Sequence, residues 1–148
     1  MAIHCHMARN QTKQAVSFRF DRRTIRHLKV RSREVNEPQA ALAQRYIGEG
    51  LRMDEYPLIY FRATAIGRSP ALFGTRLDVS TVIETIRQNQ NSIEEAGEYL
   101  DLPVAHVQAC LRYYAVYQRE VDEWIELNRR LAEREHELWL REQEALAG

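Results

Sequence analysis

At 148 residues, 45% hydrophobic and 28% charged, the chain has the size and composition of one globular domain or two small ones, which excludes a fibrous or wholly disordered protein. Its 21 Lys/Arg balance 21 Asp/Glu, yet the charges are segregated: residues 1–53 hold 11 basic against 4 acidic side chains, 54–118 hold 5 against 8, and 119–148 hold 5 against 9. A basic head on an acidic body predicts a polyanion at one end and a different partner at the other. No apolar run approaches the ~20 residues that span a bilayer, so no membrane partner is expected.

Residues 1–12 show no periodicity and are expected to be a flexible N-terminus without the apolar core of a secretory signal. With only two distant cysteines, Cys5 and Cys110, the chain is expected in a reducing cytoplasm. Residues 13–53 form the first predicted unit. Val16, Phe18 and Phe20 alternate with Ala15, Ser17 and Arg19, the period of a short strand with one apolar face. Asp21 is placed to cap a helix over 22–35 whose inner face carries Ile25, Leu28 and Val35. Asn36 suits the left-handed residue at its end, and Pro38 the first turn of a second helix with Ala41, Leu42, Tyr46, Ile47 and Leu51 on its buried face.

Residues 54–118 read as a helical domain. Pro57 and Leu58–Phe61 open it with a junction and a possible strand, Gly67-Arg68-Ser69-Pro70 is a turn signal, and Ala71–Phe73 a second short strand. Asp78 or Ser80 caps a helix to about Gln88, Ser92-Ile93-Glu94-Glu95 has the form of a capping box, and a third helix starts near Pro103. Three short helices with tight turns resemble a helix-turn-helix core. Residues 119–148 read as one amphipathic helix whose apolar arc includes Trp124, Leu127, Leu131, Leu138 and Trp139.

The chain lacks a phosphate-cradling glycine loop, a GxSxG elbow, an HExxH pair and a CxxC pair, so no enzyme activity, cofactor or metal is expected. His4, Cys5 and His6 are read as accidental composition, because structural zinc takes four ordered ligands. Cys110 lies between Ala109 and Leu111 and is expected to be an inert buried thiol. Tyr113, Tyr114 and Tyr117 are expected in a packed core.

The order over Gln14–Met53, strand, helix, Asn36 turn and helix, resembles the ribbon-helix-helix family (Arc, MetJ, CopG). The resemblance implies a homodimer in which two strands pair antiparallel, burying Val16, Phe18 and Phe20 and presenting Lys13, Ala15, Ser17 and Arg19 to the major groove, with Gln39 at the phosphate-binding start of the second helix. A lone strand has unpaired edges and needs such a partner. The sequence departs from the family at Ala15, often a polar reader, at Pro38, usually Ser or Thr, and at Glu37, which sets an acid beside the phosphate site.

Gly67-Arg68-Ser69-Pro70, Phe73-Gly74-Thr75-Arg76-Leu77-Asp78-Val79-Ser80, Ser92-Ile93-Glu94-Glu95-Ala96 and Ala109-Cys110-Leu111-Arg112-Tyr113-Tyr114 are similar to the domain-of-unknown-function family numbered 433, apart from a missing Pro after Tyr99. That resemblance implies a small helix-turn-helix-like fold and service as the antitoxin of VapBC-like pairs, whose toxins are PIN-like ribonucleases. The expected protein is therefore mainly α: a ribbon-helix-helix dimerisation and DNA-binding head, a small helical domain and a long C-terminal helix. Its expected role is a type II antitoxin that represses its own operon by binding operator DNA. Trp124, Leu127, Leu131 and Leu138, on the spacing with which a helix docks in a groove, and Arg130 and Arg134 as a cationic handle are the expected toxin contacts, the alternative being that this helix packs on its own middle domain or on the second protomer. The alternative is a dimeric ribbon-helix-helix transcriptional regulator without a toxin.

Overall fold

In a computed structural model, residues 13–148 are described; the His4, Cys5 and His6 reading and the N-terminal segment lie outside them. The described chain is mainly helical, with six helices and one two-stranded sheet. It divides into two compact units, one up to Ala43 and one from Gln44 to Gly148.

In the first unit, residues 13–21 carry no helix or strand within the single chain. α1 (Arg22–Glu34) begins where expected. The Asp21 carboxylate accepts from the Thr24 N–H at 2.9 Å and from the Thr24 hydroxyl at 2.6 Å, and these bonds hold its pKa below the usual carboxylate range. Asn36 is left-handed, with φ 52°. Around it the Glu37 N–H bonds the Ser32 carbonyl at 3.0 Å and the Asn36 N–H bonds that of Arg33 at 3.3 Å, the two bonds of a Schellman ending. α2 (Gln39–Glu55) follows immediately, with Gln39–Ala43 in the first unit and the rest in the second. The Pro38 carbonyl accepts its first bond from the Leu42 N–H at 2.9 Å, so Pro38 precedes the first helical residue instead of lying within the first turn.

In the second unit, β1 (Ile59–Thr64) and β2 (Gly67–Leu72) form an antiparallel hairpin with Ile59 opposite Leu72 and Phe61 opposite Pro70. The turn is therefore Ala65-Ile66, and Gly67–Pro70, read from sequence as the turn, is strand. A two-stranded sheet has only edge strands, where a proline need not break a ladder. Gly67 takes φ 140°, which closes the two-residue loop and which a side chain would strain.

α3 (Val79–Gln88) is the most buried helix and contributes Val79, Val82, Ile83 and Ile86 to the core. Asp78 stands at its N-terminus but makes no cap bond; its carboxylate takes both arms of Arg62 instead, at 2.5 and 2.8 Å. α4 (Ile93–Leu100) is capped by Ser92, whose hydroxyl accepts from the Glu95 N–H at 3.2 Å. Asp101 at φ 53° turns the chain into α5 (Val104–Val116). Gly97 makes that turn tight, because a Cβ there would stand 2.9 Å from the Leu102 carbonyl oxygen. α6 (Gln118–Ala147) is about 45 Å long at 1.5 Å per residue. Val121 in its second turn joins the core cluster with Ile59, Leu72, Val107, Cys110 and Tyr113. No helix among the described residues is long and apolar enough to cross a membrane.

Candidate nucleic-acid and partner interfaces

The head presents its predicted residues to solvent. Val16, Phe18 and Phe20 are 65%, 62% and 48% exposed, and the two Phe rings lie on one side with centroids 6.3 Å apart. Lys13, Ala15, Ser17 and Arg19 are exposed as well, and Gln39 is exposed at the first residue of α2. α1 buries nothing completely, and in α2 only Leu42 is buried. Tyr46, Ile47 and Leu51, expected on the inner face of α2, are exposed in the single chain. Val16, Phe18 and Phe20, expected to be buried against a second copy, are thus exposed in the single chain.

The second unit carries the hairpin and the core built by α3, α4 and α5. Two Arg–Tyr–acid clamps fix the α5–α6 junction there. The first joins Arg52, Tyr113 and Glu120: the guanidinium donates to the Tyr113 hydroxyl at 3.0 Å and to Glu120 at 2.7 Å, and the hydroxyl donates to Glu120 at 2.9 Å. Arg52 also sits 4.3 Å over the Tyr117 ring, which stacks on Tyr113 at 4.6 Å. The second joins Arg87, Tyr114 and Asp122, with Arg87 donating at 2.6 and 2.8 Å. The tyrosines thus serve as core and anchors. Burial first, and the Glu120 carboxylate second, push the Tyr113 phenol far above its ordinary value. Cys110 is fully buried, and burial raises its thiol to about 12. Sequence reading missed Arg52, Arg62, Arg68 and Arg87, whose acidic partners lie 16 to 68 residues away; Arg68 grips Glu49 through both arms. Only the arginine composition hinted at them.

The six expected partner contacts on α6 divide into two groups. A Cβ on Gly67 would lie 3.7 Å from the Trp124 ring, so this indole packs across the hairpin turn of its own chain. Leu131 is half-buried, and Arg130 pairs with Glu126 at 3.0 Å. Leu127, Arg134 and Leu138 are exposed. From Ala132 onward every residue of α6 is exposed, including Leu138, Trp139, Leu140 and Leu146. Among the described residues, no group of His, Cys, Asp and Glu side chains is arranged to hold a metal.

The geometry defines a small, mainly helical protein with a tyrosine-anchored helical core and two exposed apolar ends. Residues 63–114, roughly a third of the chain, match the family described as protein of unknown function (DUF433). Comparison with curated proteins and with solved structures finds no match.

Proposed function

We propose that this protein is a type II antitoxin: a ribbon-helix-helix dimer that binds operator DNA through its head and neutralises a PIN-like ribonuclease with its C-terminal helix. The observation that carries this reading is the pair of unpartnered apolar ends on one chain. At the head, Val16, Phe18 and Phe20 stand exposed directly before an Asp21-capped helix, a left-handed Asn36 turn and a second helix. Pairing two such segments antiparallel satisfies both backbones, buries six apolar side chains and turns Lys13, Ala15, Ser17 and Arg19 outward in duplicate, where Arg19 can donate two bonds to a guanine. At the tail, Leu138 and Trp139 lie exposed beyond the last residue that the chain buries.

The test is co-expression with any PIN-like ribonuclease that a neighbouring gene encodes. The full chain is expected to restore growth and to co-purify with the toxin, whereas a chain ending at Leu131 is expected to do neither. The cut falls after Leu131 because Glu120, Val121 and Trp124 belong to the chain's own packing. Rescue by the shortened chain would remove the tail assignment. Absence of any ribonuclease partner, with operator binding retained, would leave the dimeric regulator without a toxin.

A further inference from the structure

We infer that the solvent face of α1 is a second nucleic-acid contact, a track of cations that follows one phosphodiester strand beside the ribbon. Arg22, Arg26, Lys29 and Arg33 recur at spacings of four, three and four, which at 100° per residue gathers them within an arc of about 60°. The same geometry sets them at heights of about 0, 6, 10.5 and 16.5 Å along the axis. All four are exposed, and none has an ion-pair partner among the described residues. The only acid of α1, Glu34, pairs with Arg31 at 3.1 Å, off this stripe.

The contrast with α6 gives the stripe its meaning. There three of the five arginines, Arg119, Arg129 and Arg130, are each paired with a glutamate three or four residues away. A solvated helix ordinarily intersperses its charges in that way. Four like charges in line repel one another and are disfavoured in the isolated helix, so the arrangement fits an external polyanion of regular charge spacing. Nucleic-acid backbone supplies that regularity and releases counterions when the cations approach it. The inference rests on the DNA-binding reading of the head and adds to it a surface that carries affinity without sequence preference.

The experiment titrates the full chain and its Arg22→Gln/Arg26→Gln/Lys29→Gln/Arg33→Gln variant onto a labelled mixed-sequence duplex of about 30 base pairs over a range of KCl concentrations. Glutamine keeps helix propensity, and matching circular dichroism checks that the fold is intact. The expected result is at least a ~10-fold loss of affinity at low salt and a log K against log salt slope shallower by about 2 or more. A wild-type slope in the variant overturns the inference. So does displacement of the duplex from the parent chain, but not from the variant, by a peptide of residues 132–148, which would give the stripe to the acidic tail. Binding to anionic vesicles that the variant loses, with duplex binding unchanged, gives it to a membrane surface and overturns the inference too. Arg19→Ala separates the two readings: if it leaves sequence preference untouched while the stripe variant loses slope, the track stands and the ribbon falls. If the parent chain binds no duplex, both fall.

Discussion

At Gly97 a side chain has nowhere to go, because the next element's backbone occupies the space: the Leu102 carbonyl oxygen lies 2.9 Å from where a Cβ would stand, with Val107 behind it. Gly97→Ala must therefore open the α4–α5 turn. Overpacking of this kind costs about 1–3 kcal/mol, and the better helix propensity of alanine returns up to ~1 kcal/mol. A net loss of about 1–2 kcal/mol in urea unfolding is expected; an unchanged midpoint would mean that the turn is slack. Cys110 makes a second prediction. Burial holds its thiol neutral up to about 12, above the ordinary value of 9.0. The folded state therefore resists ionisation that the unfolded chain undergoes, so this group's contribution to stability is complete below pH 9 and declines as pH rises toward 12. The denaturation midpoint is expected to fall between pH 8 and pH 10 by more in the parent than in Cys110→Ala, and thiol reagents are expected to reach Cys110 only on unfolding.

Elements whose signals are local were legible in the sequence, and those fixed by distant partners were not. Asp21 and Ser92 cap through bonds three residues away, and Asn36 ends α1 with bonds inside its own last turn, so their residue types announced them. Gly67 and Pro70 signal a turn two residues later than the real one, because these residue types punctuate most chains, yet here they lie in a strand whose register is set by pairing with β1. Asp78 reads as a cap but spends its carboxylate on Arg62, 16 residues back, which no local pattern reveals. The C-terminal helix was legible as an element but not in its division of labour. Its first half is core, with Val121 buried, Glu120 in the Arg52 clamp and Trp124 across the hairpin, while everything from Ala132 is exposed. Ending the chain at Leu131 is accordingly expected to shift unfolding free energy by no more than about 0.5 kcal/mol. Ending it at Tyr117 removes Val121 and one arm of each clamp and is expected to cost several kcal/mol, on the order of full unfolding for a domain this small. Equal loss in both truncations, read by thermal denaturation, would show that the distal helix packs on something within the chain.

For the whole molecule, the decisive quantity is how much apolar surface one copy leaves uncovered. Val16, Phe18 and Phe20 are exposed in a unit in which α1 buries no residue, and Tyr46, Ile47 and Leu51 are exposed on the part of α2 that belongs to the second unit. Each such side chain gains about 1.5–3 kcal/mol in going from full exposure to full burial, and the first three are 48–65% exposed, so two copies of them offer a gross gain of about 5–10 kcal/mol against an association cost of similar order. The proposed head pairing would therefore depend on nearly all of these contacts being made, and one charge in their midst should abolish it. Phe18→Asp is expected to convert a dimer at micromolar concentration into a monomer in sedimentation equilibrium. The second unit should be untouched, since its core draws on Ile59, Val82, Val107 and Tyr113 and not on the head. Trp124 reports this independently, because its indole lies against Gly67 and its emission should not change with the substitution. A parent chain that sediments as a monomer at every concentration would leave the apolar head without the partner that ribbon pairing requires. A Phe18→Asp chain that remains dimeric would move the interface to α2 or to the distal part of α6, and the Leu131 truncation then separates those two by its own sedimentation.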